Sequence, residues 1–263
     1  MSEVRSDAPF WCHSNWRAVV AAFAFNGFLF GVWASRVPAF KETLNLDPGT
    51  LGLLLLALAG GAIISFPAAG SLSQRLGAER LTIWCGWAYS PALVALGLAT
   101  NPLWLGLGLF VFGAVHGAMD VAMNGWGAEV ETKLGKSTMS VFHAMFSMGA
   151  GIGAASGFLA VQMGFEPVHH FGIVGLLGAA IAIPVMLAGQ SAPLPVKAKA
   201  NASSLFSLPS RSLVFVGLIA FTVAMGEGAM ADWSGVFLRV VAEATQSQAA
   251  LGYTVFSIPM VLN

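Results

Sequence analysis

Seven apolar stretches of about twenty residues follow one another along the chain, and this pattern leaves little choice of fold. A helix needs about 20 apolar residues to cross the hydrocarbon core of a bilayer. Only 9% of the 263 residues are charged, whereas soluble domains average about 25%. The sequence therefore predicts an all-α integral membrane protein in contact with a lipid bilayer. The predicted spans are 17–37, 50–70, 81–100, 103–124, 139–163, 168–189 and 211–233, and an eighth begins near Ala249.

The spacing of these spans divides the chain into four segments. Residues 1–16 are polar and contain no cleavable signal pattern. Residues 17–189 form a predicted bundle of six transmembrane helices. Residues 190–210 are rich in Ser, Ala, Pro and Lys, which is typical of a flexible linker. Residues 211–263 begin a second bundle, which is incomplete because the eighth span is too short to cross the hydrocarbon core.

The positive charges predict how the helices are oriented. With the N-terminus in the cytoplasm, nine of the twelve Lys and Arg residues fall inside, and only Arg36, Lys41 and Arg239 fall outside. This bias is the one that the positive-inside rule requires. Trp33 and Trp233 then recur near the outer ends of helices 1 and 7, which suggests that helix 7 begins a second copy of the first half. We expect Trp33 to anchor helix 1 at the membrane interface.

Helix 4 carries a strip of polar side chains inside an apolar span. His116, Asp120 and Asn124 are spaced four residues apart, so they stack on one face of the helix. Ionisable residues in a bilayer are costly, and they usually mark a solute or proton pathway in the bundle interior. The strip therefore indicates proton coupling at Asp120 and substrate binding at His116 and Asn124. The alternative is a strip that only hydrogen-bonds neighbouring helices.

Two further polar residues lie inside predicted spans. Glu227 is near the middle of helix 7 between Gly226 and Gly228, which leave room for a substrate, a water molecule or another helix. It is the second candidate for proton coupling, and structural pairing with a buried partner is the alternative. Asn26 is a lone polar residue in an apolar run of helix 1. Interhelical packing explains Asn26 at least as well as substrate contact does.

The start of helix 5 combines a histidine with a run of glycines. We interpret His143 as a structural residue. The glycines favour close contact with a neighbouring helix. They are Gly149, Gly151, Gly153 and Gly157.

Several classes of function are disfavoured by the sequence. The formal net charge is zero, so there is no basic footprint for nucleic acid. Residues 135–138 read GKST, like the end of a phosphate-binding loop, but Val130 stands where that pattern needs glycine and no strand precedes it. No metal-ligand set and no nucleophile–base pair is visible. We therefore expect no nucleotide, no metal, no cofactor and no enzymatic activity.

The connection between helices 2 and 3 carries a recognisable motif. Residues 70–80 read GSLSQRLGAER. This run resembles the signature loop of the major facilitator superfamily, Gly-x-x-x-Asp-Arg-x-Gly-x-x-Arg, with Gln74 in the place of the usual Asp. The resemblance implies the N-terminal six-helix bundle of the major facilitator fold, followed by helix 7 and part of helix 8. The matching positions are Gly70, Arg75, Gly77 and Arg80.

Two other stretches resemble the fucose-permease-like branch of that superfamily. Residues 120–124 read DVAMN and residues 232–234 read DWS, similar to that branch's helix 4 and helix 7 elements. The resemblance implies proton and sugar handling at Asp120 and places Trp233 among the substrate-binding candidates. The branch also has an acid in helix 1 that is Ala34 here. The chain is similar as well to bacterial inner-membrane members that share the Asp-Trp-Ser pattern.

These observations lead to one functional hypothesis and two alternatives. The hypothesis is a secondary transporter of the bacterial inner membrane, which moves a small polar, sugar-like solute by alternating access coupled to protons. One alternative is a truncated fragment without transport activity. The other is a membrane sensor built on a transporter scaffold.

Overall fold

A computed structural model describes residues 9–190 and 211–262 of the chain. In these ranges the regular structure is helical, with a single 3-10 turn at Phe10–Cys12 and nine α-helices numbered in chain order. Residues 191–210 of the predicted linker and the first eight residues of the predicted N-terminal segment lie outside the described residues. The helices are α1 Ser14–Thr43, α2 Pro48–Leu76, α3 Ala78–Gly97, α4 Pro102–Leu134, α5 Met139–Gln162, α6 Pro167–Ala188, α7 Arg211–Val240, α8 Gln246–Ala250 and α9 Gly252–Leu262.

The seven complete predicted spans each coincide with a helix. By length and composition, six of the described helices can cross a membrane, namely α1, α2, α4, α5, α6 and α7. The exception is α3, whose apolar character is reduced by Arg80 at its start and by two Trp, a Tyr and a Pro further along. It nevertheless packs against α4 and α6 as a member of the bundle. The predicted eighth span, which begins near Ala249, is present as α9, and a short capped helix, α8, precedes it.

The most extensive helix pair is formed by α1 and α5. A Cβ atom added at Gly27 or Gly31 of α1 would fall on backbone atoms of α5. A Cβ atom added at Gly149 or Gly153 of α5 would fall on backbone atoms of α1. The two helices therefore pack backbone against backbone, as small residues permit in membranes. This confirms the prediction for part of the glycine run in helix 5.

A second glycine-lined pair, α2 and α4, holds the polar strip of α4 against the rest of the bundle. Gly113 and Gly117 of α4 approach the backbone of α2, and Gly61 of α2 approaches the backbone of α4. Because Gly117 follows His116 directly in sequence, this contact fixes the rotation of α4.

The last three helices contact the bundle through α1 and α5. Gly235 of α7 approaches Pro38 of α1, and Ala231 of α7 is buried. Near the ends of the same helices, Arg239 Nε donates to Glu42 Oε1 at 2.6 Å. Helix α9 packs on α5, where Gly151 approaches the hydroxyl of Ser257. The described α7 side chains between 214 and 219 are exposed.

Two connections show why the chain turns where it does. Asp47 caps α2, because its Oδ1 accepts from the backbone N–H groups of Gly49 at 2.9 Å and Thr50 at 3.1 Å. The side-chain and backbone hydrogen bonds from Thr50 lower the pKa of Asp47 below its ordinary value. Between α2 and α3 a single residue, Gly77, makes the turn with a φ of 92°. That left-handed backbone favours glycine over any residue with a Cβ atom.

Candidate functional site

The polar strip of α4 is present as a continuous half-buried face. Asn124 Nδ2 donates to Asp120 Oδ1 at 3.2 Å and to the Asp120 backbone carbonyl at 2.9 Å. All three residues of the strip are partly accessible to solvent. The hydrogen bond from the Asn124 amide orients the Asp120 carboxylate through Oδ1. The second oxygen, Oδ2, can then bind another group. The geometry therefore confirms that the strip lies on one face.

His116 is held by a residue that sequence reasoning missed. Tyr89 Oη lies 2.7 Å from His116 Nδ1, and Tyr89 is fully buried. The His116 ring also stacks on Phe30, with a centroid distance of 5.0 Å. If the phenol donates to a neutral imidazole, the ring proton is on Nε2. The one signal available in the sequence was that the chain contains only two Tyr residues.

The two predicted proton-coupling residues share a neighbour on α5. The carboxyl groups of Asp120 on α4 and Glu227 on α7 both interact electrostatically with His143. His143 is exposed, and its ring packs edge-on against Phe23 at 5.3 Å. His143, for which the sequence predicts a structural role, thus lies within electrostatic range of both carboxyl groups, but no hydrogen bond or ion pair joins it to either of them among the described residues. We call Asp120, His143 and Glu227, which lie on three different helices, the acid–imidazole–acid cluster.

The cluster continues along α7 toward α9. The phenol of Tyr253 interacts electrostatically with Glu227 and with Asp232. Tyr253 is buried beside Ala34 and Ala231, and its ring lies 6.2 Å from that of Phe30. Both carboxylates of α7 are thus within electrostatic range of Tyr253, whose ring approaches that of Phe30.

Asn26 is placed next to the strip but has no solvent exposure. Its Nδ2 donates to the backbone carbonyl of His116 at 3.5 Å, so it joins α1 to α4. Its Oδ1 is buried and has no hydrogen-bond partner among the described residues. This position favours the packing role over contact with a substrate in the state seen here.

Trp233 is not brought together with the other candidates. It lies on the face of α7 that borders α9, in an apolar groove of about 570 Å³ that it lines with Met230, Phe237 and Val255. Glu227 precedes it by six residues, which places the two side chains about 120° apart around the helix. The structure therefore separates Trp233 from the cluster that contains Glu227.

The signature-loop residues form the end of α2 and the start of α3. Arg75 and Arg80 are exposed, and Gly70 has open space where a Cβ atom would lie. Gly77 is the positive-φ turn itself. The signature loop thus lies at the exposed ends of α2 and α3, apart from the cluster of Asp120, His143 and Glu227.

Two predictions about the outer end of helix 1 are wrong. Trp33 is only 1% exposed and packs against Phe40 and Phe112, so it is not an interface anchor. Arg36 is only 3% exposed, so it is not a charge of a water-facing segment. Its Nη2 donates to the backbone carbonyl of Phe165 at 2.7 Å, which pins α1 to the α5–α6 turn.

Six of the described helices are long and apolar enough to cross a membrane, and sequence comparison identifies the family. The model of the Major Facilitator Superfamily matches residues 18–263. The chain belongs to the Major Facilitator Superfamily. The family consists of transporters, which confirms the prediction that this chain is not an enzyme.

Curated relatives are transporters and membrane proteins of bacteria. An uncharacterized transporter of Sinorhizobium fredii is 42% identical over 94% of this chain and 65% of its own length. An uncharacterized MFS-type transporter of Yersinia pestis is 33% identical over 92% and 62%, respectively. The membrane protein MosC of Rhizobium meliloti is 28% identical over 93% and 59%. The chain therefore spans somewhat less than two thirds of the length of these relatives.

Solved structures support the same fold. A mutant form of the nucleoside transporter NupG superposes with a TM-score of 0.71 over 95% of this chain and 65% of that chain. A second structure of the nucleoside transporter NupG gives a TM-score of 0.66 over 94% of this chain and 64% of that chain. The sequence identities are 17% and 16%, so the likeness concerns the fold alone.

Proposed function

We propose that this chain is part of a proton-coupled secondary transporter that moves a small polar, sugar-like solute across the bacterial inner membrane. The observation that carries the proposal is the cluster of Asp120, His143 and Glu227. Two carboxylates inside a membrane protein are costly unless they serve a pathway. Here they come from the first bundle and from α7, and a single imidazole lies within electrostatic reach of both.

The cluster supports proton coupling because its charge changes with protonation. A proton on Asp120 removes the negative charge that faces His143, and the same holds for Glu227. Protonation therefore changes the attraction between α4, α5 and α7. Asp120 and Glu227 are the coupling residues in this proposal, while His116 and Asn124 bind the solute from the strip. Asn26 and Trp233 remain secondary substrate-binding candidates.

Alternating access is supported by the contact between α1 and α7, which lies near Pro38 and Glu42. In parallel-repeat transporters one bundle rocks against the other around a central site.

The test is pH-gradient-driven uptake by the intact protein in liposomes, with a ligand found in a thermal-shift screen of small polar solutes. Asp120→Asn keeps a side chain of the same shape beside Asn124 but cannot exchange a proton. We expect the gradient-driven rate to fall by about tenfold or more, which is the typical contribution of a positioned acid–base group. Ligand binding without a gradient should persist.

The matched control is Glu129→Gln, which removes an exposed carboxylate from the same helix. Its uptake and pH dependence should equal those of the wild type. Unchanged uptake and unchanged pH dependence in Asp120→Asn would remove Asp120 from the coupling mechanism.

A further inference from the structure

Arg36 is a buried cation in the C-terminal part of α1. The residue is only 3% exposed. Its Nη2 donates to the backbone carbonyl of Phe165 at 2.7 Å, whereas Nε and Nη1 have no hydrogen-bond partner among the described residues. Buried donors without a partner are rare in proteins, and each one calls for an explanation such as a bound ion or water.

The guanidinium of Arg36 also has no counter-charge in the described part of the chain. The ion pair found there joins Glu42 to Arg239 instead. Glu166 follows Phe165 in sequence, but it is exposed and forms no ion pair with Arg36. A buried charge without a partner is strongly destabilising. A water molecule can accept a hydrogen bond from the guanidinium, but it cannot neutralise the charge, whereas an anion does both.

The first turn of α6 lies beside Arg36. Phe165, which accepts from Arg36, directly precedes the N-cap residue Glu166. One turn beyond Arg36, the ring of Phe40 lies 6.1 Å from that of Phe171 on α6. The Glu166 side chain makes no capping hydrogen bond. The N-terminal N–H groups of α6 therefore add positive potential close to the guanidinium.

A second unpaired polar atom lies in the same turn of α6. His170 is 2% exposed, and its Nδ1 has no hydrogen-bond partner among the described residues. Ser156 Oγ donates to the Gly153 carbonyl at 2.5 Å and lies 2.9 Å from His170 Nε2. Because a hydroxyl has one hydrogen, Nε2 is the donor to Ser156. Nδ1 is then the nitrogen that can take up a proton and donate to an anion.

Close packing around these residues limits the size of a bound group. A Cβ atom added at Gly97 of α3 would fall on backbone atoms of Val168 in the first turn of α6. A Cβ atom added at Gly157 of α5 would fall on the side chain of Ser35, the neighbour of Arg36. These contacts, together with the burial of Arg36, favour an ion of halide size over a phosphate or an organic acid.

We infer that a chloride-sized anion binds at Arg36, between the C-terminal part of α1 and the first turn of α6. Nε–H and Nη1–H of Arg36 donate to it. Phe30, which stacks on His116, lies six residues before Arg36, or about 9 Å along the helix. The anion is therefore a structural counter-ion that joins α1 to α6, separate from the transported solute. This inference does not depend on the proposed function.

The experiment is a thermal-shift titration of the intact protein in detergent at fixed pH. Sodium gluconate is replaced stepwise by sodium chloride or sodium bromide at constant ionic strength, so that general screening does not change. An anion that binds the folded state alone raises the melting temperature. We expect a rise of about 3 °C or more between chloride-free buffer and about 100 mM chloride or bromide.

Variants locate the effect. Arg36→Gln removes the charge and should melt at the same temperature in chloride and in gluconate. Arg36→Lys keeps the charge but loses the planar fork of donors, so its chloride midpoint should rise by about tenfold or more. Lys133→Gln removes an exposed cation of α4 and should respond as the wild type does. Each variant is compared with itself in gluconate, which separates lost anion binding from lost stability.

Equal melting temperatures of the wild type in chloride and in gluconate would overturn the inference. That result is expected if water, or a carboxylate outside the described residues, satisfies Arg36. A chloride response of Arg36→Gln as large as that of the wild type would overturn it as well. If Arg36→Gln does not fold, Arg36→Lys decides, because an unchanged chloride midpoint contradicts the site and a raised midpoint supports it.

Discussion

Helix α1 contacts α5 and α7 in opposite ways. Against α5 it packs through Gly27 and Gly31, which allow backbone contact along the middle of both helices. Against α7 its described contacts lie near Pro38 and end in the partly exposed ion pair of Glu42 with Arg239. Close packing inside the first bundle makes it one body, whereas the contact with α7 has the features of a separable interface.

The largest expected effect is on the α1–α5 contact. Gly31→Ala places a Cβ atom on the backbone of Ala150, and overpacking of this kind costs about 1–3 kcal/mol. Unfolding in detergent, followed by circular dichroism, measures the loss. Gly60→Ala in α2 is the matched control, because no atom lies within 4 Å of the added Cβ. Its stability should not decrease. Equal melting temperatures for the two variants would contradict backbone contact between α1 and α5.

The next largest effect is expected at Tyr89. Tyr89→Phe removes the hydroxyl that bonds His116 Nδ1 and leaves a partly buried ring nitrogen unpaired, which costs about 1–2 kcal/mol. Thermal unfolding measures the change. The control is Tyr253→Phe, since the Tyr253 hydroxyl has no hydrogen bond among the described residues. A loss at Tyr253 as large as that at Tyr89 would argue against the hydrogen bond to His116.

A smaller effect with a pH signature is expected at the rim of the first bundle. The pKa of Asp47 is lowered in the folded protein, so its carboxylate stabilises the fold at neutral pH. That contribution is lost as the pH falls through the lowered pKa. Asp47→Ala should therefore unfold at a lower temperature than the wild type at pH 7, and the difference should shrink in acid. Asp47→Asn keeps a neutral cap and should show less of this pH dependence.

The smallest effect on stability is expected at the ion pair between α1 and α7. The side chains of Arg239 and Glu42 are 32% and 44% exposed, and exposed pairs contribute about 0.2–1 kcal/mol. A double-mutant cycle with Glu42→Gln and Arg239→Gln should give a coupling energy in that range, and added salt should reduce it. A coupling energy as large as the Gly31→Ala loss would mean that α1 and α7 form a fixed interface.

The fold was largely predictable from the apolar spans, because only helices bury their backbone groups over such lengths in lipid. The ends were less predictable. Helix α4 continues to Leu134 through a charged last turn, since water replaces lipid at that depth. The start of α8 carried a readable signal that was missed. Thr245 and Gln248 form a capping box, a pattern that marks a helix start.

The site was predictable only where its residues share one helix. The spacing of His116, Asp120 and Asn124 shows on a helical projection, and it survives in the structure. The approach of His143 to two carboxylates depends on how α4, α5 and α7 pack, and no local pattern encodes that. The burial of Trp33 is a tertiary effect of the same kind, because bundle packing outweighs the interfacial preference of its indole.

The glycines of α5 alternate in their partners. Gly149 and Gly153 face α1, while Gly151 approaches Ser257 of α9. Helix α5 therefore packs backbone to backbone on the side of α1, and it meets only a side chain on the side of α9. Under the proposed rocking motion, a larger side chain at position 149 or 153 would prevent assembly of the first bundle. A larger side chain at position 151 would leave the first bundle assembled but would keep α9 from packing against α5. If the proposed function holds, substitutions at different glycines of this one helix would distinguish loss of folding from loss of the conformational change.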